Sequence, residues 1–311
     1  MLGNARGRII RPPPLYVDGD DVYSIVASAA TSDPGWHSAL TPADGWPMLG
    51  MVTGMKNTLP EPMPPLYMSW PVAWLATAKI WSEVALAGQV PSTTIWLPAV
   101  RTSVGHVADE LQVQQLIKFA ESTFGSLSLL INNASSLPPA GEGMAGWIPS
   151  LQTDLLGTLY ATRWAIEAMR RSGGGSIVNI SSISALWHGR KTPGGFAGYD
   201  VAKAGVNRLT TGLAKEVAKD GIRVNCLAPG WIASDGPRQY WESLTPAQRL
   251  ERGVPSKLLL PEEIADMVWC LATDRSLNGR VVVWWSEDPP RLIPWGDRGY
   301  REVADFFPSG E

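Results

Sequence analysis

The sequence predicts an α/β fold: a doubly wound parallel sheet in a single domain, preceded by an N-terminal extension. Two observations support this prediction. From about residue 107 onward, helical patterns and short apolar runs alternate along the chain. The apolar runs are continuous, which is typical of strands buried on both faces of a parallel sheet. Regular alternation of such strands with helices places helices on both sides of the sheet.

The alternation begins at residue 108. Apolar side chains recur at helical spacing across residues 108–124, and this spacing places them on one face of a helix: Val113, Leu116, Ile117, Ala120 and Phe124. Gly125 follows as a helix stop. The apolar run 127–131 after it is typical of a fully buried strand.

The later elements repeat this pattern. A long helix is predicted over residues 151–171, and Ser172 with three glycines closes it in a helix-ending turn. The elements after it are a strand at 176–180, a helix at 199–219, a strand at 222–227, a helix at 261–273 and a strand at 280–284. Parallel sheets of this kind bind ligands at the carboxyl ends of their strands, so the site is expected at that edge.

The first hundred residues differ from the rest of the chain. Half of the 26 prolines lie there, and the cluster between residues 60 and 71 forbids a regular helix across that stretch. One strand is predicted at 48–53, ending at Gly54. The chain is therefore divided into an irregular extension (1–46), an α/β domain (47–286) whose part 47–105 is atypical, and an extended C-terminal tail (287–311).

Composition excludes several classes of protein. The net charge of −3 gives no basic excess that would favour nucleic acid or an acidic membrane surface. No apolar run approaches the roughly 18 residues of a membrane span, and no secretion signal is recognised at the N-terminus, so a cytoplasmic location is expected. The three histidines are scattered and no metal site is expected. Cys226 and Cys270 lie in apolar surroundings and are predicted to be buried, reduced thiols.

Four polar residues lie where they can carry chemistry. Ser181 and Ser182 follow the predicted strand 176–180, while Tyr199 and Lys203 are four residues apart and so share one face of the next helix. A phenol has a pKa of about 10 and is a weak acid–base catalyst at neutral pH. A lysine ammonium beside it favours the phenolate, and a serine hydroxyl can orient a carbonyl or alcohol while the tyrosine moves the proton.

Four ordered motifs carry a family resemblance. They are L-I-N-N-A at 130–134, S-I-V-N-I-S-S at 176–182, Y-D-V-A-K-A-G at 199–205 and I-R-V-N-C-L-A-P-G at 222–230. In this order and at these separations they resemble the successive signatures of the classical short-chain dehydrogenase/reductase family. A lone Y-x-x-x-K is a weak signal, whereas four ordered motifs are a strong one. The resemblance implies a Rossmann-like fold, NAD or NADP as cofactor, a small alcohol or ketone as substrate, and a homodimer or homotetramer.

The resemblance also implies a role for individual residues. Tyr199 would be the general acid and base, Lys203 would lower its pKa and bind the nicotinamide ribose, and Ser182 would hold the reacting oxygen. Cofactor contacts would come from Tyr199 and Lys203 together with Asn132, Ala134, Pro229, Gly230 and Ile232. Asn179 is interpreted as structural only. The substrate pocket would be formed by residues 187–196 and by the partly aromatic segment 231–253.

Several positions depart from the family pattern. The family's asparagine in N-x-x-G, which supports a water chain to the lysine, is replaced by Asp154. A carboxylate there either takes over this catalytic task or disturbs the relay. The usual acidic residue before the helix at 108 corresponds to His106, and Ser135 ends the motif N-N-A-G.

The largest departure is the dinucleotide loop. The family's T-G-x-x-x-G-x-G brings backbone amides and a helix N-terminus to the pyrophosphate. Here Thr53 and Gly54 stand at a suitable distance before Asn132, but no glycine follows them before Pro60. Two hypotheses remain open. One is an active oxidoreductase. The other is a catalytically silent member with impaired cofactor binding, acting as a scaffold or binding protein or arising from a shifted reading frame.

Overall fold

A computed structural model of the chain describes residues 23–29, 48–50, 99–135, 147–186 and 196–296. Its main sheet has five strands, which neighbour one another in chain order. Four are parallel: β4 (Leu129–Asn132), β5 (Gly175–Ile180), β6 (Ile222–Pro229) and β7 (Val281–Trp284). The short β8 (Arg291–Leu292) pairs antiparallel with β7 and lies in the predicted C-terminal tail.

Helices connect these strands and flank the sheet. They are α1 (Glu110–Phe124), α2 (Trp147–Ser150), α3 (Thr158–Arg171), α4 (Ala197–Val217), α5 (Asp235–Glu242), α6 (Pro246–Arg252) and α7 (Pro261–Thr273). A π-helical segment (Leu151–Gly157) joins α2 to α3, and 3₁₀ turns lie at Ile183–Leu186 and Ala218–Asp220. The helix predicted at 151–171 is therefore two segments of different winding.

The core lies on both faces of the sheet. On one face, the strand residues Leu130, Ile177 and Val224 pack with buried side chains of α1, α3 and α4. On the other face, alternate residues of the same strands pack with α7, among them Leu129, Ile131, Val178 and Ile180. Successive side chains of a strand point to opposite faces, so continuous apolar strands need helices on both sides. The predicted doubly wound α/β fold is confirmed.

The glycines at 173–175 form the predicted helix-ending turn. The amide of Gly174 donates to the carbonyl of Met169 at 2.8 Å, which satisfies the end of α3. Gly174 has φ +129°, and a Cβ atom there would lie 2.7 Å from the carbonyl oxygen of Gly221. Only glycine allows this close approach between the start of β5 and the turn before β6.

A second sheet gathers strands from the N-terminal third. β1 (Tyr23–Ala29) pairs antiparallel with β2 (Met48–Gly50) and with β3 (Ala99–Gly105). β2 coincides with the start of the strand predicted at 48–53. The expectation that 1–46 is irregular is wrong for β1, whose sequence Y-S-I-V-A-S-A alternates polar and apolar residues in part, as strands do. The domain boundaries as a whole stay a prediction.

Two further sequence expectations concern membranes and thiols. Within the described ranges, no helix has the length and apolar character needed to cross a membrane. Cys226 is buried, and burial raises the pKa of its thiol to about 12. Cys270 is exposed, so the expectation that it is buried is wrong. It lies on α7, where the buried positions Ile264, Val268 and Leu271 face the sheet.

Candidate active site

Helix α4 carries the central pair of the site. Tyr199 and Lys203 are one helical turn apart, and the Lys203 Nζ atom lies 5.4 Å from the centre of the Tyr199 ring. The helix starts two residues before the tyrosine, so both residues fall in its first turns, beside the carboxyl end of β5. The predicted juxtaposition of phenol and ammonium is present.

Lys203 is held in the protein interior. Its side chain is 1% exposed, and Nζ donates to the carbonyl oxygen of Ile180 at 3.1 Å. The Ser181 hydroxyl donates to the backbone carbonyl of Lys203 at 2.9 Å. The end of β5 therefore fixes both the head and the backbone of the lysine. This bond occupies the hydroxyl of Ser181, and the reactant-binding role of Ser182 stays a prediction.

Asp154 forms an ion pair with Lys203. Its Oδ1 atom lies 3.2 Å from the Lys203 Nζ atom, and the Asp154 side chain is fully buried. The carboxylate comes from the π-helical segment, which packs closely on α4: a Cβ atom on Gly205 would lie 2.8 Å from Leu155 Cδ1. The sequence placed Asp154 at the site but did not predict that it contacts the lysine directly.

The electrostatics of the pair differ from the sequence expectation. Burial raises the pKa of Tyr199; the Lys203 ammonium opposes this, while the Asp154 carboxylate adds to it, and the pKa stands above its ordinary value. The lowering expected from Lys203 is present, but burial and Asp154 outweigh it. Burial also disfavours the charged form of Lys203, but Asp154 and Tyr199 outweigh it and raise the pKa of the ammonium.

Ser182 lies next to the tyrosine. Its side chain is hydrogen-bonded to the Tyr199 phenol, and this bond lowers the pKa of the phenol. The amide of Ser184 donates to the Ser182 Oγ atom at 3.2 Å and fixes the hydroxyl at the start of the 3₁₀ turn. The structure thus brings together Ser182, Tyr199, Lys203 and Asp154.

Asn132 belongs to a buried hydrogen-bond chain that crosses the sheet. Its amide nitrogen donates to Thr162 Oγ1 at 3.0 Å and to Asn179 Oδ1 at 2.8 Å, and Asn179 donates to Thr210 Oγ1 at 2.9 Å. The chain joins α3, β4, β5 and α4. This geometry agrees with a structural role for Asn179 and gives Asn132 the same role, while its contact with a cofactor stays a prediction.

The other predicted cofactor contacts lie at the same edge of the sheet. Ala134 follows β4 and is buried, Pro229 ends β6, and Ile232 is buried just beyond it. Gly230 packs against the loop after β7, where an added Cβ atom would lie 2.6 Å from Ser286 Oγ. Since β4, β5 and β6 are parallel neighbours, their carboxyl ends bring these residues to the edge that carries Tyr199.

Comparison with known proteins places the chain in a family. Residues 92–283 match a family model described as enoyl-(acyl carrier protein) reductase. The acetoacetyl-CoA reductase of Cupriavidus necator is 34% identical over 178 residues, 56% of this chain and 70% of that protein. The human dehydrogenase/reductase SDR family member 4 is 32% identical over 206 residues, 62% of this chain and 71% of that protein.

The chain belongs to the short-chain dehydrogenase/reductase family of oxidoreductases. A solved structure titled "ElxO with NADP Bound" is similar in fold, with a TM-score of 0.51 at 23% identity over 69% of this chain and 93% of that one. The family match begins near β3 and covers β4, β5, β6 and all but the last residue of β7.

Three features noted in the sequence remain: the loop 53–60, the segment 187–195 and His106. The loop 53–60, where the family has its glycines, and the segment 187–195 of the predicted pocket lie outside the described residues. His106 follows β3, and its amide donates to Gln112 Oε1 at 2.9 Å, at the entry to α1. Among the described residues, no group of three histidine, cysteine or acidic side chains could hold a metal ion.

The segment 231–253 includes helices α5 and α6, which side-chain contacts hold together. The rings of Trp231 and Tyr240 lie 6.1 Å apart. Trp241 is held from two sides: its indole nitrogen donates to the carbonyl of Pro255 at 2.8 Å, and the Arg249 guanidinium lies 3.4 Å from its ring centre. Trp231 and Tyr240 therefore form an aromatic pair, Trp241 links α5 to α6, and the predicted pocket wall stays a prediction.

Proposed function

We propose that this chain interconverts an alcohol and a ketone, with NAD or NADP as hydride carrier and with Ser182, Tyr199, Lys203 and Asp154 as its catalytic group. The observation that supports this proposal is the buried cluster of phenol, ammonium and carboxylate at the carboxyl end of β5. Family membership supplies the reaction class, and the cluster supplies the proton transfer.

The described residues fit the nicotinamide end of such a cofactor. An ammonium has three protons. Those of Lys203 reach the carbonyl of Ile180 and the carboxylate of Asp154, which leaves one to donate to a ribose hydroxyl. When bound, the cofactor supplies or accepts the hydride. The described residues contain no glycine loop for the pyrophosphate, so the fit is limited to this end.

The residues of the chain then divide the remaining work. Ser182 donates a hydrogen bond to the substrate oxygen and holds it beside the Tyr199 hydroxyl. In the reductive direction, Tyr199 gives its proton to that oxygen as the carbonyl carbon becomes a carbinol carbon. In the oxidative direction, the phenolate takes the proton back. Lys203 stabilises the phenolate by its positive charge, which is strong at short range inside a protein.

The proposal also covers the cellular location and the oligomeric state of the protein. We infer a cytoplasmic enzyme with a small-molecule substrate, without nucleic acid or membrane as partner, and assembled as a homodimer or homotetramer. Leu156, Leu159 and Val201 support the assembly, because they are large exposed apolar side chains on the adjoining π-helical segment, α3 and α4. Sedimentation of the full chain measures the oligomeric state.

The second candidate function is a catalytically silent family member. The observation that favours it is the absence of a glycine loop after Gly54. A chain without backbone amides for the pyrophosphate loses a main source of dinucleotide affinity. In this reading the protein is a scaffold, a binding protein or the product of a shifted frame, and its catalytic cluster is idle.

One pair of measurements separates the two candidates. Addition of NADH and NADPH is followed by quenching of tryptophan fluorescence, which reports binding. Turnover is then measured with acetoacetyl-CoA and with cyclohexanol, since relatives are named acetoacetyl-CoA reductase and cyclohexanol dehydrogenase. Binding with turnover of either compound supports the enzyme. Absence of quenching at millimolar cofactor supports the silent member.

A further inference from the structure

Asp154 gives this site a different charge from the one that the family pattern would give. The resemblance predicts an asparagine at this position, and an asparagine is neutral. Here the carboxylate lies 3.2 Å from Lys203 Nζ, and the two side chains are 0% and 1% exposed. Bulk water and salt screen a pair at this depth only weakly, so the charge of Asp154 acts on its neighbours in full.

The fold holds the carboxylate at this place. The π-helical segment changes the winding between α2 and α3 at Asp154, and Leu155 packs onto Gly205 of α4. At the end of the π-helical segment, Gly157 lies against Val107. A Cβ atom added to Gly157 would be 2.9 Å from Val107 Cγ2. The hydroxyl of Thr158 donates to the Asp154 carbonyl at 2.9 Å. These contacts fix the position of the segment from both sides.

The charges that face Tyr199 can be named. On its own helix are Lys203 and Asp200, from the π-helical segment comes Asp154, and Ser182 at the end of β5 gives a hydrogen bond. Cys226 of β6 lies near Lys203 and, with its raised pKa of about 12, is a neutral thiol at working pH. The innermost group is therefore one ammonium, one carboxylate and one phenol.

Loss of a proton changes the charge of this group from zero to −1. With a neutral residue at 154, the same loss would change it from +1 to zero. Creating net charge in a buried site is unfavourable, whereas removing it is favourable. This change in charge is the same whether the proton leaves from the phenol or from the ammonium, because the two titrate as a coupled pair.

We propose that Asp154 is a positioning residue that holds the Tyr199–Lys203 pair in its fully protonated form, and so extends carbonyl reduction to higher pH. This inference rests on the proposed function. Reduction needs the phenol as proton donor, and oxidation needs the phenolate as acceptor. Asp154 therefore moves alcohol oxidation to more alkaline conditions than an asparagine would.

The first test is kinetic. The pH profiles of kcat/KM for cyclohexanol oxidation and for the reverse reduction are compared between the unaltered chain and Asp154→Asn. We expect the apparent pKa of both profiles to fall by about one unit or more in the variant, with faster oxidation near neutral pH. Glu110→Gln, which removes an exposed carboxylate paired with Arg163, is the charge-matched control and should leave the profiles in place. Superimposed or upward-shifted profiles for Asp154→Asn overturn the proposal.

The second test needs no turnover. Tyrosinate absorbance is titrated in the unaltered chain and in Tyr199→Phe, and the difference gives the ionisation of Tyr199. The same difference is then measured in the Asp154→Asn background, where Tyr199 is equally buried and only the carboxylate is missing. A lower midpoint in that background supports the proposal, and an equal or higher midpoint overturns it. If the protein turns over no substrate, this titration still decides whether Asp154 holds the pair protonated. Failure of the proposed function and failure of this inference are thus separable.

Discussion

The two parts of this chain form their sheets in different ways. From residue 106 onward, parallel strands alternate with helices, and both faces of the sheet are covered by buried apolar side chains. The strands of the N-terminal third pair antiparallel in a separate sheet. Antiparallel pairing needs no crossover helix, whereas each parallel pair requires one.

The boundary between these two parts also separates the proposed proton-transfer residues from the place of the family's pyrophosphate loop. The residues proposed for catalysis and for the nicotinamide end belong wholly to the regular part. The family's pyrophosphate loop would belong to the N-terminal third, where the sequence has none. Under the proposed function, the regular part would carry the proton transfer, while the cofactor-binding half is atypical in sequence. Experiments that address each half separately can test whether the two still act together.

The largest expected effect concerns the regular half. Replacing Tyr199 with Phe removes one hydroxyl and should lower kcat by about 10²–10⁴, because no proton donor remains beside the substrate oxygen. Far-ultraviolet circular dichroism should be unchanged. Tyr160→Phe, on α3 and packed against the core, is the matched control and should retain activity. An active Tyr199→Phe enzyme, on any substrate that the parent converts, would remove the tyrosine from the mechanism.

The next effect concerns stability. Arg223 of β6 donates to the carbonyl oxygens of Leu271, Ala272, Asp274 and Leu277, which closes the C-terminal end of α7. Hydrogen bonds from a charged group contribute about 1.5–3 kcal/mol, so Arg223→Met should lower the free energy of unfolding in urea by about 3 kcal/mol.

The control for this change is Arg163→Met, which breaks an exposed ion pair with Glu110 and should cost less than about 1 kcal/mol. Equal effects of the two substitutions would mean that the hydrogen bonds from Arg223 to the end of α7 contribute no more than an exposed ion pair.

A smaller difference is expected in cofactor binding. If the N-terminal third supplies no amides for the pyrophosphate, the adenylate half of NADH adds little affinity. NADH and reduced nicotinamide mononucleotide should then bind within about tenfold of each other, or about 1.4 kcal/mol. Quenching of tryptophan fluorescence measures both. NADH binding a hundredfold more tightly would show that the N-terminal third holds the adenylate despite its sequence.

The smallest effect lies at the start of α1. Asp109 caps this helix, its carboxylate accepting from the amides of Leu111 at 2.9 Å and Gln112 at 3.2 Å, and these bonds lower its pKa. A lowered pKa stabilises the fold above the unfolded value of about 3.9, and this contribution is lost as pH falls through the folded value. Asp109→Asn should therefore have a slightly lower Tm at neutral pH, with the difference vanishing in acid. A difference that grows in acid would refute the cap.

Some helices could be predicted from the sequence with their bounds. Helix α7 begins at Pro261 and ends at Thr273, as predicted, because proline suits the first turn and Glu262 and Glu263 favour a helix N-terminus. Helix α3 ends where Ser172 and the glycines require it. These signals are local, and the folded protein uses them unchanged.

Other features have no local signal. The π-helical winding at Leu151–Gly157 shifts the helix by part of a turn, and the apolar spacing of 151–171 looks like that of one regular helix. Strand β8 is exposed and short, and β1 lies in a segment without long periodicity. The carbonyl of Ile180, which holds Lys203, belongs to the backbone and leaves no trace in residue types.

By itself, the sequence determined the α/β class, the order of the four parallel strands and of helices α1, α3, α4 and α7, and the candidates Ser182, Tyr199, Lys203 and Asp154. Those depend on periodicity and on motif spacing, which are properties of the chain. Only the tertiary structure decided that Asp154 contacts Lys203 directly and that the pKa of Tyr199 rises. Burial and the distance between groups on different elements set these two outcomes, and neither quantity exists until the π-helical segment packs on α4.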